Sequence, residues 1–246
     1  MNHYFSGEFP RIMATKLLKT DFHTHTAEDP EEPIRHTSCQ LIDRAHLLGY
    51  DALSVTNHNG ICFNSYLRDY AAERGIILIP GAEITVHGKH VLIVNAQEKF
   101  LSARTFADIK NLKNRSNLVV APHPFFPGLA SLLWHVRKNI DLFDALEYSW
   151  FFNDNINFNT FAVNVALRYN MPLVCSSDCH HLPNFGSAYS LVEAEKDTDA
   201  IIDAVKRGRV QIAATPLNLR KFTRHGVEHV VDVLYGSLRH LWNGKR

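Results

Sequence analysis

Short apolar runs alternate with longer amphipathic segments along this chain of 246 residues. The runs are rich in Val, Ile and Leu, which is typical of strands buried on both faces. The amphipathic segments have helical spacing; 38–48, for example, ends at Gly49. This alternation predicts βαβ units and a parallel sheet. We expect strands at 17–22, 52–56, 76–79, 91–94, 118–121, 145–147 and 173–175, and helices at 38–48, 64–74, 102–115, 131–139, 155–169, 198–207 and 222–242.

The length and composition indicate one globular domain spanning 1–246, because α/β barrels of roughly 200–250 residues are single units. A hydrophobic share of 46% and a charged share of 21% exclude a wholly disordered chain. We expect no membrane association, because no apolar run approaches the length of a membrane span. A net charge of +1 leads us to expect no stable binding of duplex nucleic acid. The sequence predicts no particular oligomeric state.

The four cysteines are too sparse for a disulfide framework and contain no CxxC pair, so we expect reduced thiols and a cytoplasmic location. The N-terminal segment also lacks the apolar core of a signal peptide. The 15 histidines make a histidine-based metal site more plausible than a cysteine-based one.

Histidines or acids follow five of the predicted strands. In parallel α/β folds the carboxyl ends of the strands form the functional face, so these side chains are expected to converge there. Residues i and i+2 of a strand face the same way, so His23 and His25 project together, and so do Asp178 and His180. The strand-end residues are Asp21, His23, His25, His58, Glu83, His123, Asp178 and His180.

The composition of this set is that of a metal site. Imidazole and carboxylate ligands suit Zn, Mn or Fe, and the set contains more ligands than one ion takes. The sequence therefore predicts two or three divalent transition metals.

These motifs resemble the PHP family, the polymerase and histidinol phosphatase superfamily of metal-dependent phosphoesterases. The resemblance runs over about 16–209 and rests on five segments in order: Asp21-Phe22-His23-Thr24-His25-Thr26, Thr56-Asn57-His58-Asn59, Gly81-Ala82-Glu83, Pro122-His123-Pro124 and Ser177-Asp178-Cys179-His180. It implies a distorted seven-stranded β/α barrel with a trinuclear metal centre, outside which the C-terminal helix at about 222–242 would pack.

The resemblance also implies metal ligands by position. One metal would be held by His23, His25, Glu83 and Asp178, a second by Glu83, His90 and His123, and a third by His58, His180 and one residue after His25. His90 precedes its strand, so it reaches the site only if His87-Gly88-Lys89 forms a hairpin. His87 is the rival ligand and is expected to be exposed.

Two segments depart from the family pattern. Asn57 and Asn59 stand where the family usually has aspartates, which predicts a weaker third metal unless an asparagine holds His58 by a hydrogen bond. The segment after His25 is longer than usual; Asp29 is the first candidate ligand there, His36 the second and Glu28 the third.

The implied reaction is hydrolysis of a phosphate ester of a nucleotide, a short oligonucleotide or another small phosphorylated substrate by a metal-activated water. His25, His58 or His180 could protonate the leaving alkoxide, and Asp21 could orient an imidazole. Two alternatives stay open: an amidohydrolase-like metal hydrolase and a non-catalytic metal-binding module. Arg35, Lys89, Arg115 and Arg209 are candidate phosphate-binding residues, and Trp150-Phe151-Phe152 either stacks on a nucleobase or packs the barrel rim.

Overall fold

The computed structural model describes residues 16–225, which form a nine-stranded sheet with helices on its outer side. The strands are β1 (Lys16–Asp21), β2 (Ala52–Val55), β3 (Ile77–Val86), β4 (Lys89–Val94), β5 (Leu118–Ala121), β6 (Ala145–Ser149), β7 (Leu173–Ser176), β8 (Ala188–Ala194) and β9 (Val210–Ala214). The helices are α1 (Ser38–Leu47), α2 (Ser65–Ala72), α3 (Phe106–Leu112), α4 (His135–Lys138), α5 (Asn159–Tyr169) and α6 (Thr198–Lys206).

The strand order is β7-β6-β5-β4-β3-β2-β1-β8-β9. All seven predicted strands are present, but the expected number of seven is wrong because β8 and β9 extend the sheet beyond β1. The pairs β1–β2, β2–β3, β5–β6 and β6–β7 are parallel, and the others are antiparallel. The sheet is therefore mixed rather than purely parallel.

The sheet nearly closes into a barrel where β7 meets β1 and β8. Thr24, just after β1, forms a parallel bridge with Cys179, just after β7. The Ser190 hydroxyl of β8 accepts a hydrogen bond from the Cys175 amide of β7 at 2.8 Å and donates one to the Cys175 carbonyl at 2.9 Å. These bonds bring the end of β7 beside β1, although most of the chain separates the two strands.

The turn between β3 and β4 reverses the chain in two residues. His87 and Gly88 both have positive φ, at 50° and 69°, which is the geometry of a tight type I′ hairpin. The predicted hairpin is therefore present. Thr85 pairs with His90, so the first residues of β4 lie beside the last residues of β3.

Alternate residues of the strands pack on opposite faces. Leu92 and Val120 belong to one buried cluster, which includes residues of α6, whereas Ile93 and Val119 belong to another, which includes residues of α3, α4 and α5. Both faces of these strands are therefore covered, which is why their sequences are continuously apolar.

The helices begin and end as their flanking residues dictate. Thr37 caps α1, since its side chain accepts from the Gln40 amide while the Gln40 side chain accepts from the Thr37 amide.

The predicted helices at 102–115 and 131–139 are much shorter in the structure, where α3 and α4 have seven and four residues. Residues 219–225 are helical, and the rest of the helix predicted over 222–242 lies outside the described residues. Within 16–225 no helix is long and apolar enough to cross a membrane.

Candidate metal centre

Four nitrogen and oxygen atoms converge where β1, β3 and β7 bring their polar residues together. His23 Nε2 lies 3.2 Å from His25 Nε2, 3.4 Å from Glu83 Oε2 and 3.4 Å from Asp178 Oδ1. His25 Nε2 lies 3.5 Å from Glu83 Oε2 and 3.3 Å from Asp178 Oδ1. In a tetrahedral zinc site with bonds of about 2.1 Å, the ligand atoms are about 3.4 Å apart. Five of the six distances among these atoms therefore match those around one divalent ion, and His23, His25 and Asp178 lie close enough together to share one.

The other oxygen of Glu83 faces a second set of imidazoles. Glu83 Oε1 lies 2.9 Å from His90 Nδ1 and 3.3 Å from His123 Nε2. The contact with His90 lacks hydrogen-bond geometry, so this buried nitrogen has no hydrogen-bond partner. A buried nitrogen without a partner costs free energy unless something binds it, and a cation would do so. The second set therefore also suits a metal, and Glu83 stands between the two sets.

Asp29 is the residue of the segment after His25 that reaches the imidazoles. Its Oδ2 lies 3.2 Å from His25 Nδ1 and 2.9 Å from His58 Nδ1, and it also accepts a hydrogen bond from the His58 amide. The opposite nitrogen of His58 faces Glu83 Oε2 at 3.1 Å. Asp29 thus lies where it can bind a cation with His25 and His58 or orient both rings.

The two rival residues for that role lie elsewhere. The Glu28 carboxylate accepts hydrogen bonds from the amide and hydroxyl of Ser38 at the start of α1. His36 is buried, with its Nε2 3.9 Å from Cys179 Sγ. Neither belongs to a group of side chains that the described residues place close enough to share a metal.

His180 lies at the outer edge of the centre, where its side chain is about one-third exposed. Its Nδ1 lies 2.9 Å from the Asp178 carbonyl, and its Nε2 lies 3.1 Å from Glu32 Oε2. Sequence reasoning missed Glu32, because the acidic segment after His25 resembles a solvated loop and only the fold brings it to His180.

Glu147 is a second residue that the sequence reasoning missed. It is fully buried on β6, and its Oε1 lies 3.0 Å from His23 Nδ1. Its other oxygen accepts a hydrogen bond from the His123 amide at 2.6 Å. Glu147 therefore orients the ring of one candidate ligand and the backbone of another. The signal in the sequence was an acid at the end of an apolar run.

Asp21 does not play the part expected of it. Its carboxylate accepts hydrogen bonds from the amides of His23 and Ser177, so it joins the end of β1 to the end of β7. The imidazole of His23 is held by Glu147 instead. Asp21 therefore binds backbone amides rather than an imidazole.

The backbone is constrained around the centre. His123 and Asp178 have φ of 28° and 46°, in the left-handed region that non-glycine residues seldom adopt. Gly81 lies so close to β2 that an added Cβ would be 2.2 Å from Ser54 Oγ. The absence of a side chain at Gly81 lets β3 approach β2 two residues before Glu83.

The carboxylates of the centre are strongly acidic. Burial alone would raise the pKa of Glu83 and of Asp178, but neighbouring imidazoles outweigh burial and hold both well below their usual range. Burial also opposes ionisation of Asp29, and hydrogen bonds from two imidazoles lower its pKa instead. The centre is therefore rich in negative charge at neutral pH.

The imidazoles respond in opposite ways to this charge. Burial would lower the pKa of His58, but hydrogen bonds to Asp29 and Glu83 raise it to about 11. Burial and the charge of His180 lower the pKa of His25. Without a metal, protons on some of the rings balance the carboxylates, so a cation must displace protons to bind.

Asn57 and Asn59 connect loops and do not contact the imidazoles through their side chains. The Asn57 side chain accepts from the Thr26 amide and donates to the Thr26 hydroxyl. Asn59 donates to Glu31 and to the Thr85 hydroxyl. The alternative in which an asparagine holds the ring of His58 is therefore wrong.

The candidate phosphate-binding residues are dispersed. Arg115 precedes β5 and Arg209 precedes β9, so both lie at the end of the barrel opposite the candidate metal centre. Lys89 binds the Leu129 carbonyl, and Arg35 is exposed. Exposed His87 belongs to none of the groups that could share a metal, as predicted.

Comparison with known proteins finds one matching family model and several similar structures. A family model described as PHP-associated matches residues 157–210. A two-domain protein from Bacteroides vulgatus, described as containing a predicted PHP-like metal-dependent phosphoesterase, is 19% identical, with a TM-score of 0.65 over 85% of this chain and 69% of that one. PsfC from Pseudomonas syringae is 17% identical, with a TM-score of 0.63 over 89% of this chain and 98% of that one. No curated protein sequence matches the chain significantly.

A third structure corrects one expectation. Endonuclease Q, solved with a 27-mer duplex substrate bearing an abasic lesion at its active site, is 15% identical, with a TM-score of 0.58 over 82% of this chain and 60% of that one. The expectation of no stable duplex binding, drawn from a net charge of +1, is therefore wrong as an inference. Net charge sums over the whole surface, whereas binding depends on the charge that faces the ligand.

These findings confirm the resemblance to the PHP family: residues 157–210 match a PHP-associated model, and the chain has the fold of a protein described as containing a predicted PHP-like metal-dependent phosphoesterase.

Proposed function

We propose that this protein is a metal-dependent phosphoesterase that hydrolyses a small phosphate ester. The observation that carries the proposal is the convergence of His23, His25 and Asp178, close enough to share one ion, with Glu83 within 3.5 Å of both imidazoles. The unpartnered nitrogen of His90 supports a second position. Proteins of the same fold that are described as metal-dependent phosphoesterases or endonucleases support the reaction class.

In this proposal the ligands form two sets that share Glu83. His23, His25 and Asp178 complete the first set, and His90 and His123 complete the second. His25, Asp29 and His58 lie close enough to share a third ion, and the ring of His180 lies beside that of His25 at the edge of this position. Divalent ions here would supply Lewis acidity, which makes a bound water nucleophilic and offsets the charge of a phosphate.

A side chain of the protein would donate the proton that the leaving alkoxide needs. The ring of His180, about one-third exposed, presents Nε2 beside Glu32 at the mouth, where an N–H could protonate a leaving alkoxide. The ring of His25 is fully buried, with one nitrogen among the ligands and the other on Asp29. Of the three candidate acids, His180 is therefore the one that geometry favours, while His25 and His58 act as ligands.

The orienting residues would hold this arrangement in place before substrate arrives. Glu147 fixes the ring of His23, and Asp29 fixes those of His25 and His58. Holding the rings in one orientation reduces the reorganisation needed when charge develops on the phosphate.

A metal titration coupled to a phosphatase screen tests the proposal. Protein stripped of metal would be loaded with Mn, Zn, Fe or Mg and assayed on phosphomonoesters, phosphodiesters and an amide substrate. We expect at least two bound ions per chain and hydrolysis of a phosphate ester. Amide hydrolysis without ester hydrolysis would favour the amidohydrolase alternative, and tight metal binding without any hydrolysis would favour a non-catalytic module.

A further inference from the structure

Two aromatic residues follow β6 at the height of the candidate metal centre. Ser149, the last residue of β6, pairs with Ser176, the last residue of β7. Trp150 and Phe151 therefore come after β6 at the level where Ser177 and Asp178 come after β7. Of the run 150–152, only Phe152 is buried in the core.

Two other segments bring aromatic rings to the same place. Phe126, three residues after His123, makes an edge contact with Phe151, with ring centroids 5.4 Å apart. Phe222 stacks on Phe151 at 4.5 Å and 24°. We call Phe126, Trp150, Phe151 and Phe222 the aromatic wall.

The ring contacts that Trp150 makes within the described residues, with Phe151 at 84° and with His225 at 82°, are both perpendicular. Phe151, by contrast, has a parallel neighbour on one face. Trp150 is half-buried, and with both of its ring neighbours perpendicular its indole has the geometry of a ring to which a planar group can be added.

The segment that carries Phe222 also brings positive charge. The Leu217 amide donates to the Phe152 carbonyl at 2.8 Å, which ties the segment to the residues after β6. Arg220 and Lys221 are exposed, and neither forms an ion pair with the part of the chain described here. Surfaces that bind nucleotides combine the flat faces of aromatic rings with positively charged side chains.

We propose that the aromatic wall is a subsite for the base of a nucleoside phosphate, with Trp150 as the stacking residue. The inference rests on the proposed phosphoesterase function, because the phosphate of the same ligand would lie at the metal centre. It selects a nucleotide over sugar phosphates and other small phosphate esters.

The test compares ligands that differ only in the base. Binding of adenosine and ribose to the protein would be measured by equilibrium dialysis, without any need for catalysis. Hydrolysis of adenosine 5′-monophosphate and ribose 5-phosphate by metal-loaded protein would give KM and kcat. We expect KM for the nucleotide to be at least about fivefold lower, since stacking on one aromatic ring typically contributes that much or more.

The variants locate the effect. Trp150→Leu should abolish adenosine binding and raise KM for the nucleotide to that of ribose 5-phosphate, with kcat unchanged. Phe222→Leu, on a different segment, should weaken the preference in the same direction. Trp134→Leu is the matched control, because Trp134 is 55% exposed but its ring is stacked on His135 at 3.7 Å, with Lys138 4.0 Å from its centroid.

Each result bears on one of the two proposals. Equal KM for the two phosphates, or a base preference that survives in folded Trp150→Leu, would overturn the subsite while leaving phosphoesterase activity intact. Adenosine binding that depends on Trp150, with no hydrolysis of any phosphate ester, would overturn the function and retain the subsite. Equal losses in Trp150→Leu and Trp134→Leu would also overturn the assignment.

Discussion

A partly buried acid just before strand β6 and a fully buried acid within the strand have different partners. Asp144, just before the strand, lies 2.7 Å from Lys113 Nζ and accepts a hydrogen bond from the Val119 amide. Glu147, three residues later, faces His23 and the His123 amide. The first acid has a permanent cation beside it, whereas the second has a ring that is charged only when protonated.

The same contrast holds for the ends of the barrel. Asp51, before β2, lies 2.7 Å from Lys196 Nζ at the end where the parallel strands begin. At the other end Glu83 and Asp178 are surrounded by imidazoles. At the first end a lysine neutralises the acid without any ligand. At the second end the acids are neutralised when the centre takes up protons or cations. A functional site is therefore marked by the kind of group that neutralises a buried acid, and not by burial of the acid alone.

The largest effect should come from removing a candidate ligand. His23→Ala and Asp178→Ala should each lower kcat/KM of the proposed reaction by at least roughly a thousandfold, equivalent to about 4 kcal/mol. Each should also abolish the rise in melting temperature on adding metal, since binding stabilises only the form that binds. Activity assays and thermal melts would measure both. Wild-type turnover in either folded variant would remove that residue from the site.

Glu147→Gln should give the next largest effect. It keeps the size of the side chain but removes the charge that orients His23, and loss of such a partner typically weakens metal binding by about 10- to 100-fold. The measurement is a metal titration with a competing chelator. Asp144→Asn, just before the same strand, is the control and should bind metal as tightly as the natural protein; equal affinities in both variants would erase the distinction between the two acids.

Asp144→Asn should instead act on stability. Its carboxylate binds Lys113 and a backbone amide in a mostly buried position, so we expect a loss of about 2 kcal/mol in the free energy of unfolding. Urea denaturation would measure it. A metal-dependent rise in melting temperature that disappears in this variant would contradict the independence of the two ends.

The smallest effect is expected from Asn57→Asp combined with Asn59→Asp. The two amides bind loop groups rather than imidazoles, so the added charges act only at longer range. We expect metal affinity to rise by at most about tenfold, measured by the same titration. A larger rise would show that the missing carboxylates do limit the third position.

Continuous apolar runs and strand-end histidines carried most of the prediction. The seven expected strands exist, and the hairpin that brings His90 back to Glu83 was visible in His87-Gly88. The resemblance implied a closing strand within 186–209, but the apolar pattern predicted neither β8 nor β9, for a physical reason. In β8 buried residues alternate with less buried ones, and β9 has no buried residue, so neither has the continuous apolar pattern of a covered strand.

The orienting residues were harder to predict than the candidate ligands. Glu147 and Glu32 act through partners far away in the sequence, and spacing along the chain carries no information on such pairs. Asp21 was assigned the wrong partner because strand alternation predicts which way a side chain points but not which group it meets. The lengths of short helices such as α4 were overestimated, because apolar spacing persists through turns that lack helical hydrogen bonds.

The hairpin between β3 and β4 has a consequence for the order in which the protein folds. Glu83 and His90 are joined by a two-residue turn, and hairpins of this kind form within about 1–10 μs. His23 and Asp178 come from nearly opposite ends of the described chain, and their meeting requires the closure of a very long loop. Local pairing would therefore assemble one half of the centre early in folding, and the other half would form only when β7 reaches β1.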